Sequence, residues 1–292
     1  MINSIQDTLC DLGICDLAAI EDFHPKVRDR SDVSVKRCGR SGVIFLSRSD
    51  HMDEAYYAGK KATEYWGAES RAQAVEQCRF DDERRSREFA DLIKGSKWLD
   101  VGAGAGGLLD LLGPVAKEAY AVELQREIRE DLQRLGYPVY ASLEETPGSD
   151  FTVVSLFHVF EHLTRPLDSL EQIRRRLEVG GSVIIEVPHA RDFLIDFLDV
   201  GAFKDFTFWS EHLILHTRES LRIFLEAAGF RNVRIEGYQR YPLSNHMYWL
   251  RNGMPGGHVK WAKLDSEELS KSYSEMLKDI DATDTLIAHA RK

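Results

Sequence analysis

The residues best suited to chemistry close an apolar run, FTVVSLFHVFEHL, from Phe151 to Leu163. His158, Glu161 and His162 fall three and one residues apart, so a helical turn would put all three on one face. Histidine titrates near neutrality and can take a proton from a reacting group. The trio therefore has three readings. It can act on a substrate proton, with His158 or His162 as base and Glu161 beside them. It can hold a divalent ion, and imidazole at 158 then points to zinc, manganese or iron rather than to magnesium, which prefers oxygen. Or Glu161 and His162 only cap and pack a helix start. His212, in Glu211-His212-Leu213, is a second candidate base, and His189 follows Pro188 at a strand end. His216 precedes a helix N-cap at Thr217 and reads as structural.

A second feature lies upstream. Asp100-Val101-Gly102-Ala103-Gly104-Ala105-Gly106-Gly107 joins an apolar strand, Trp98 to Val101, to a helix near Gly107 to Leu112. Glycines there allow a tight turn and a close backbone approach to a ligand. Nicotinamide and flavin sites use similar glycines, but Asp100 would repel their pyrophosphate. S-adenosylmethionine (SAM) carries an ammonium and a sulfonium and no phosphate, so the carboxylate attracts it. Glu123, at the end of the next strand, suits the ribose hydroxyls. No Gly-Lys-Ser/Thr follows the turn, which excludes a P-loop. No Tyr-x-x-x-Lys pair lies near the fourth strand to support an oxidoreductase.

These groups need a frame, and the sequence supplies one. From Lys97 onward, short apolar runs alternate with helical stretches. The runs are 98–101, 119–122, 138–140, 151–157, 182–187 and 233–237, with a seventh, antiparallel strand at 284–288. The helices fall at 125–135, 167–177, ended by Gly180-Gly181, and 217–228, with an amphipathic one over 265–279. Alternation of this kind predicts an α/β fold, with a mostly parallel sheet covered on both faces. The expected division is an N-terminal lobe over 1–80 and a core over 81–292, with a helical insertion at about 242–280. In the lobe, two short strands flank a turn at Cys38-Gly39-Arg40, and a charged helix spans Asp81 to Ile93. Tyr56, Tyr57 and Trp66 are either an aromatic lid or lobe core.

The bulk numbers narrow the classes. The chain has 292 residues and a net charge of −10, which argues against a phosphate-backbone binder. Arg84-Arg85 and Arg174-Arg175-Arg176 are short enough to be solvated helix faces. No apolar run approaches the roughly 20 residues that span a bilayer. The start of the chain lacks a basic cluster, so a cytoplasmic location is expected. Four cysteines without a CxxC pair support neither a redox pair nor a zinc ribbon.

As a set, these motifs resemble the class I SAM-dependent methyltransferases. Leu99 to Gly106 is similar to their first motif, Phe151 to Leu163 to their fourth-strand motif, and Leu177 to Ile185 to the helix-turn-strand that follows. Glu211-His212-Leu213 through Phe230 resembles a segment of bacterial enzymes grouped with sugar and cell-surface polysaccharide methyltransferases. Relatives often carry a zinc knuckle before an aromatic helix; here only Cys38 keeps that frame. The resemblance implies a Rossmann-like, seven-stranded fold and SAM as cofactor. The expected cofactor-binding residues are Asp100, Gly102, Gly104, Glu123, Leu124, Phe157 and Arg84, the last pairing with the SAM carboxylate. The expected catalytic residues are His158, Glu161, His162 and His212, with no metal assigned. A small-molecule or carbohydrate acceptor is expected, methylated on a hydroxyl. The rivals are a metal-assisted RNA 2'-O-methyltransferase and a catalytically silent SAM-binding subunit.

Overall fold

Residues 4–52, Tyr56 and 67–292 are described by the structure, a computed structural model. Helix α1 (Ser4–Asp11) buries Ile5 and Leu9. Strands β1 (Ile20–His24), β2 (Val35–Cys38) and β3 (Ile44–Leu46) then pair antiparallel. Tyr57 and Trp66, two of the three aromatics of the expected lid, lie outside the described residues.

Helix α2 (Arg71–Ile93) begins where the Ser70 hydroxyl accepts from the Gln73 N–H. It therefore starts ten residues before the expected Asp81, and the expected boundary at 80 falls inside it. The core follows as β4 (Lys97–Val101), α3 (Gly107–Leu112), β5 (Glu118–Val122), α4 (Arg126–Arg134), β6 (Val139–Tyr140) and β7 (Phe151–Phe157). Next come α5 (Pro166–Arg176), β8 (Leu177–Pro188), α6 (Gly201–Thr207), β9 (Ile214–Leu215), α7 (Arg218–Ala227) and β10 (Arg231–Tyr238). The insertion holds α8 (Leu243–Asn252), α9 (Gly257–Lys260) and α10 (Glu267–Asp279), and β11 (Thr285–Arg291) closes the chain.

The seven-stranded sheet runs β10-β11-β8-β7-β4-β5-β6. Its strands are parallel except β11, which is antiparallel to both neighbours. The α/β class, strand count and antiparallel last strand are as expected. Gly180-Gly181 is not a helix stop, however. Leu177 already pairs with Phe151, and the next partners are Ser182 and Val153, so residues 178–181 bulge out of β8. Gly180 takes φ +84° there, a conformation that glycine adopts without strain.

The small sheet is completed from far away. Its order is β1-β2-β3-β9, with Ile44 opposite Leu215 and Phe45 opposite Ile214. Val35, Ile44 and Phe45 share one apolar core with Leu99, Val154, Ile185 and Leu286 of the main sheet. Because β9 follows His212 by one residue, this pairing helps fix where that histidine sits. In the insertion, Tyr273 and Leu277 of α10 are buried, whereas Leu269 is 39% exposed. No helix among the described residues is long and apolar enough to cross a membrane.

Candidate active site

A cleft of about 810 Å³ opens at the carboxyl ends of β4, β5, β7 and β8, with the insertion as a further wall. Open α/β sheets place ligands along this edge. Gly102, Gly104, Glu123, Leu124 and Phe157 line it, together with His158, His162 and His212, whereas Asp100 lies buried behind the lining.

At one end the chain turns sharply after β4. Gly102 and Gly104 have φ of +76° and +54°. A Cβ on Gly102 would lie 2.3 Å from Val159 Cγ2, so glycine is required for space as well as for conformation. Glu123 braces the turn: Oε2 accepts from the Gly104 N–H at 2.9 Å, and Oε1 from the Gln125 N–H at 2.8 Å. Asp100 is buried beneath, where Oδ1 accepts from Ser155 Oγ at 2.7 Å. Burial pushes its carboxyl up to about 7, against the hydrogen bond from Ser155.

The histidines lie across the cleft on a 3-10 turn, Phe160–His162. His158 sits just before it with φ +54°, and its N–H donates to the Glu186 carbonyl at 2.9 Å. Its Nδ1 is 3.2 Å from Glu161 Oε1 and its Nε2 is 3.3 Å from Glu186 Oε1. Burial lowers its pKa, but the two carboxylates outweigh that and raise it. Both ring nitrogens thus face carboxylates, which favours the protonated ring.

Glu186 anchors the buried charges. It is fully buried, yet held far below the usual carboxylate range: burial raises its pKa, and Arg85, His158 and Arg84 lower it further. Arg84 Nη2 reaches both of its oxygens at 2.8 Å, and Arg85 Nη2 reaches Oε1 at 2.6 Å. The pairing of Arg84 with the cofactor's carboxylate is thus corrected: its guanidinium is committed to Glu186 and Glu88. Glu186 has no motif around it, and nothing in the sequence linked it to a helix 102 residues earlier.

Glu161 is also fully buried, and its pKa falls to about 2; burial opposes this, but His158 and His162 prevail. His162 Nε2 is 3.7 Å from Glu161 Oε1, and its Nδ1 is 4.0 Å from Glu211 Oε2. Tyr56 Oη donates to Glu211 Oε1 at 2.9 Å. The His212 ring stands edge-on to His162 with centroids 5.1 Å apart. Burial lowers the His212 pKa to about 3, so the ring is neutral, and its Nδ1 has no hydrogen-bond partner. The expected trio is therefore reshuffled: His212 joins Glu161 and His162, while His158 braces the Glu161 carboxylate at 3.2 Å. Glu211 was not expected as a site residue; its position beside His212 was the available signal.

The other histidines divide plainly. His189 lines the cleft fully buried, 2.9 Å from the Thr283 carbonyl, and burial lowers it to about 4. His216 stacks on Phe160 with centroids 5.1 Å apart and meets Ser220 Oγ at 3.2 Å, consistent with a structural role. The remaining walls are aromatic and polar. Trp209, Phe203, Phe206 and Trp249 face the cleft with Arg28, Asn245 and His258.

Among solved structures, the fold is similar to the complex of the Haloferax volcanii Trm112 methyltransferase activator with its proposed methyltransferase. That match has 13% identity, a TM-score of 0.52, and covers 78% of this chain and 96% of that one. A SAM-dependent methyltransferase from Archaeoglobus fulgidus matches at 20% identity and TM-score 0.49, over 79% and 97% of the two chains. Phosphoethanolamine N-methyltransferase 2 of Haemonchus contortus, in complex with SAM, matches at 17% identity and TM-score 0.47, over 73% and 52%.

Fold and cleft thus define an α/β SAM-dependent methyltransferase. The family model described as "methyltransferase domain" matches residues 70–235, more than half of the chain, which therefore belongs to that family.

Proposed function

We propose that the chain transfers the SAM methyl group to a hydroxyl of a small polar acceptor: a sugar, a nucleotide sugar or a surface glycan. The observation that carries this reading is the continuity of one cleft from the glycine turn and Glu123 to His162 and His212. SAM lies along the turn, with its ribose at Glu123, its adenine beside Leu124 and its charged end near Asp100. A cation near Asp100 favours the ionised carboxylate. The methyl group then points toward the histidines. His212, on the cleft wall and with an unpartnered ring nitrogen, takes the hydroxyl proton. The aromatic wall suits a sugar ring, with an apolar face for C–H groups and polar side chains for hydroxyls. The insertion at about 242–280 walls the acceptor through Asn245, Trp249 and His258.

The test is calorimetric titration of SAM and, separately, NADH into wild type and Gly104→Asp. SAM binding by wild type and its loss in the variant are expected. An acceptor screen beginning with nucleotide sugars follows. Failure of folded wild type to bind SAM would sink the reading. Turnover of RNA in preference to sugars would replace its acceptor.

A further inference from the structure

We propose that Glu161, His162 and His212 form a binding site for a divalent transition-metal ion. One ligand atom from each lies within 4.8 Å of the other two. The three come from two segments brought together by the fold: the turn after β7 and the stretch before β9. Two observations beyond their proximity point to a ligand. Glu161 Oε2 and His212 Nδ1 are buried without a hydrogen-bond partner, although Glu161 is fully buried. Orphaned buried polar atoms are rare and costly, and an ion between them satisfies both.

The chemistry selects the ion. Two imidazoles and one carboxylate suit manganese, iron, cobalt or zinc; magnesium and calcium prefer all-oxygen sets. Two donors on one such ion, each at about 2.1 Å, stand roughly 3–3.5 Å apart. The Glu161 carboxylate is already near that spacing: its Oε1, which also meets His158, stands 3.7 Å from His162 Nε2, and a turn of the group presents the unpartnered Oε2. The surroundings supply the outer support that metal ligands usually have. His158 hydrogen-bonds the Glu161 carboxylate at 3.2 Å, and Glu211 lies 4.0 Å from the other nitrogen of His162.

His162 and His212 line the cleft, so the ion's open positions face it and fit an acceptor hydroxyl. This last point rests on the proposed methyl transfer; ion binding itself does not. Ligation takes the lone pair through which His212 would accept a proton. In the loaded protein, coordination acidifies the hydroxyl instead. The proton leaves to water, the oxygen bonds the methyl carbon, and sulfur keeps the electrons of the broken bond.

The experiment titrates the full chain with Mn²⁺, followed by electron paramagnetic resonance, and with Co²⁺, followed by its visible absorption. The cobalt arm uses a Cys10→Ser, Cys15→Ser, Cys38→Ser, Cys78→Ser background to keep the ion off thiolates, Cys78 lining the cleft itself. About one ion per chain is expected, with affinity lowered by roughly tenfold or more in Glu161→Gln and in His212→Ala. SAM affinity, measured in parallel, reports whether each variant is folded. Absence of binding by SAM-competent wild type overturns the site, as does cobalt binding that both substitutions leave unchanged. A protein that binds cobalt as described but not SAM would refute the methyl-transfer reading and leave the metal site standing.

Discussion

At the scale of single residues, the cleft is organised by carboxylates that differ because their neighbours differ. Glu186 is surrounded by Arg84, Arg85 and His158 and stays ionised while fully buried. Removing its charge leaves two buried guanidinium groups facing a neutral amide, a loss that typically costs about 3–5 kcal/mol. Glu186→Gln is therefore expected to lower the melting temperature by roughly 6 °C or more, and scanning calorimetry checks this. A shift within error would mean that the ion pairs add little beyond packing. The base assignment makes a separate prediction. His212→Ala should lower kcat by about 10²–10⁴-fold on the acceptor identified, with SAM affinity kept. Equal losses in kcat and SAM affinity would point to a collapsed cleft instead. Asp100, the glycines and Glu123 stood out in the sequence because their chemistry is local: a turn, a strand end and adjacent backbone N–H groups. The fate of Arg84 was not legible, because its partner lies on another element and carries no motif.

At the scale of elements, apolar runs in alternation with helices were enough to read the main sheet. The two inner strands of the small sheet, around Cys38-Gly39-Arg40, were read as well, but its outer strands were missed for physical reasons. Its first strand, Ile-Glu-Asp-Phe-His, has no apolar alternation, and β9 is two residues long and exists only through pairing with β3. Likewise, Gly180-Gly181 after a helix suggests a cap, and only the partner strand reveals a bulge. The consequence of β9 is that the N-terminal sheet and the histidine segment are one unit. Phe45 is fully buried in the shared core, opposite Ile214. Phe45→Ala should destabilise the protein by about 3–5 kcal/mol while calorimetry still shows a single transition. Separate melting of a lobe transition, with the main one unchanged, would show the lobe to be autonomous.

At the scale of the whole molecule, buried titratable groups of both kinds set the pH dependence of stability. His189, His212, His216 and His246 are neutral when folded, with pKa lowered by burial to about 4, 3, 3 and 4. Unfolded histidine titrates near 6.5, so the unfolded chain binds more protons below that pH and stability falls as the solution is acidified. Asp82, Asp100 and Asp192 behave oppositely: burial lifts them to about 6, 7 and 8, against about 3.9 in the unfolded chain. Here the folded state holds the extra protons, and stability falls as pH rises, until each carboxyl ionises. The two limbs place maximum stability near pH 6–7. Above pH 6.5 the histidine contribution is flat, and Asp192 alone should remove about 2 kcal/mol by pH 8. Asp192→Asn keeps an acceptor for the Leu194 N–H, which Asp192 Oδ1 now receives at 2.7 Å. The variant should therefore melt several degrees above wild type at pH 8, with the gap narrowing as pH falls and closing toward pH 4, as thermal scans across pH would measure. An equal offset at every pH would mean that Asp192 acts through its shape and not its proton. Asp100 adds a linked effect in the proposed complex. SAM brings positive charge to a carboxyl that is half protonated near pH 7, so its binding should release a proton and tighten between pH 6 and 8. Affinity independent of pH over that range would place the cofactor's cationic groups away from Asp100.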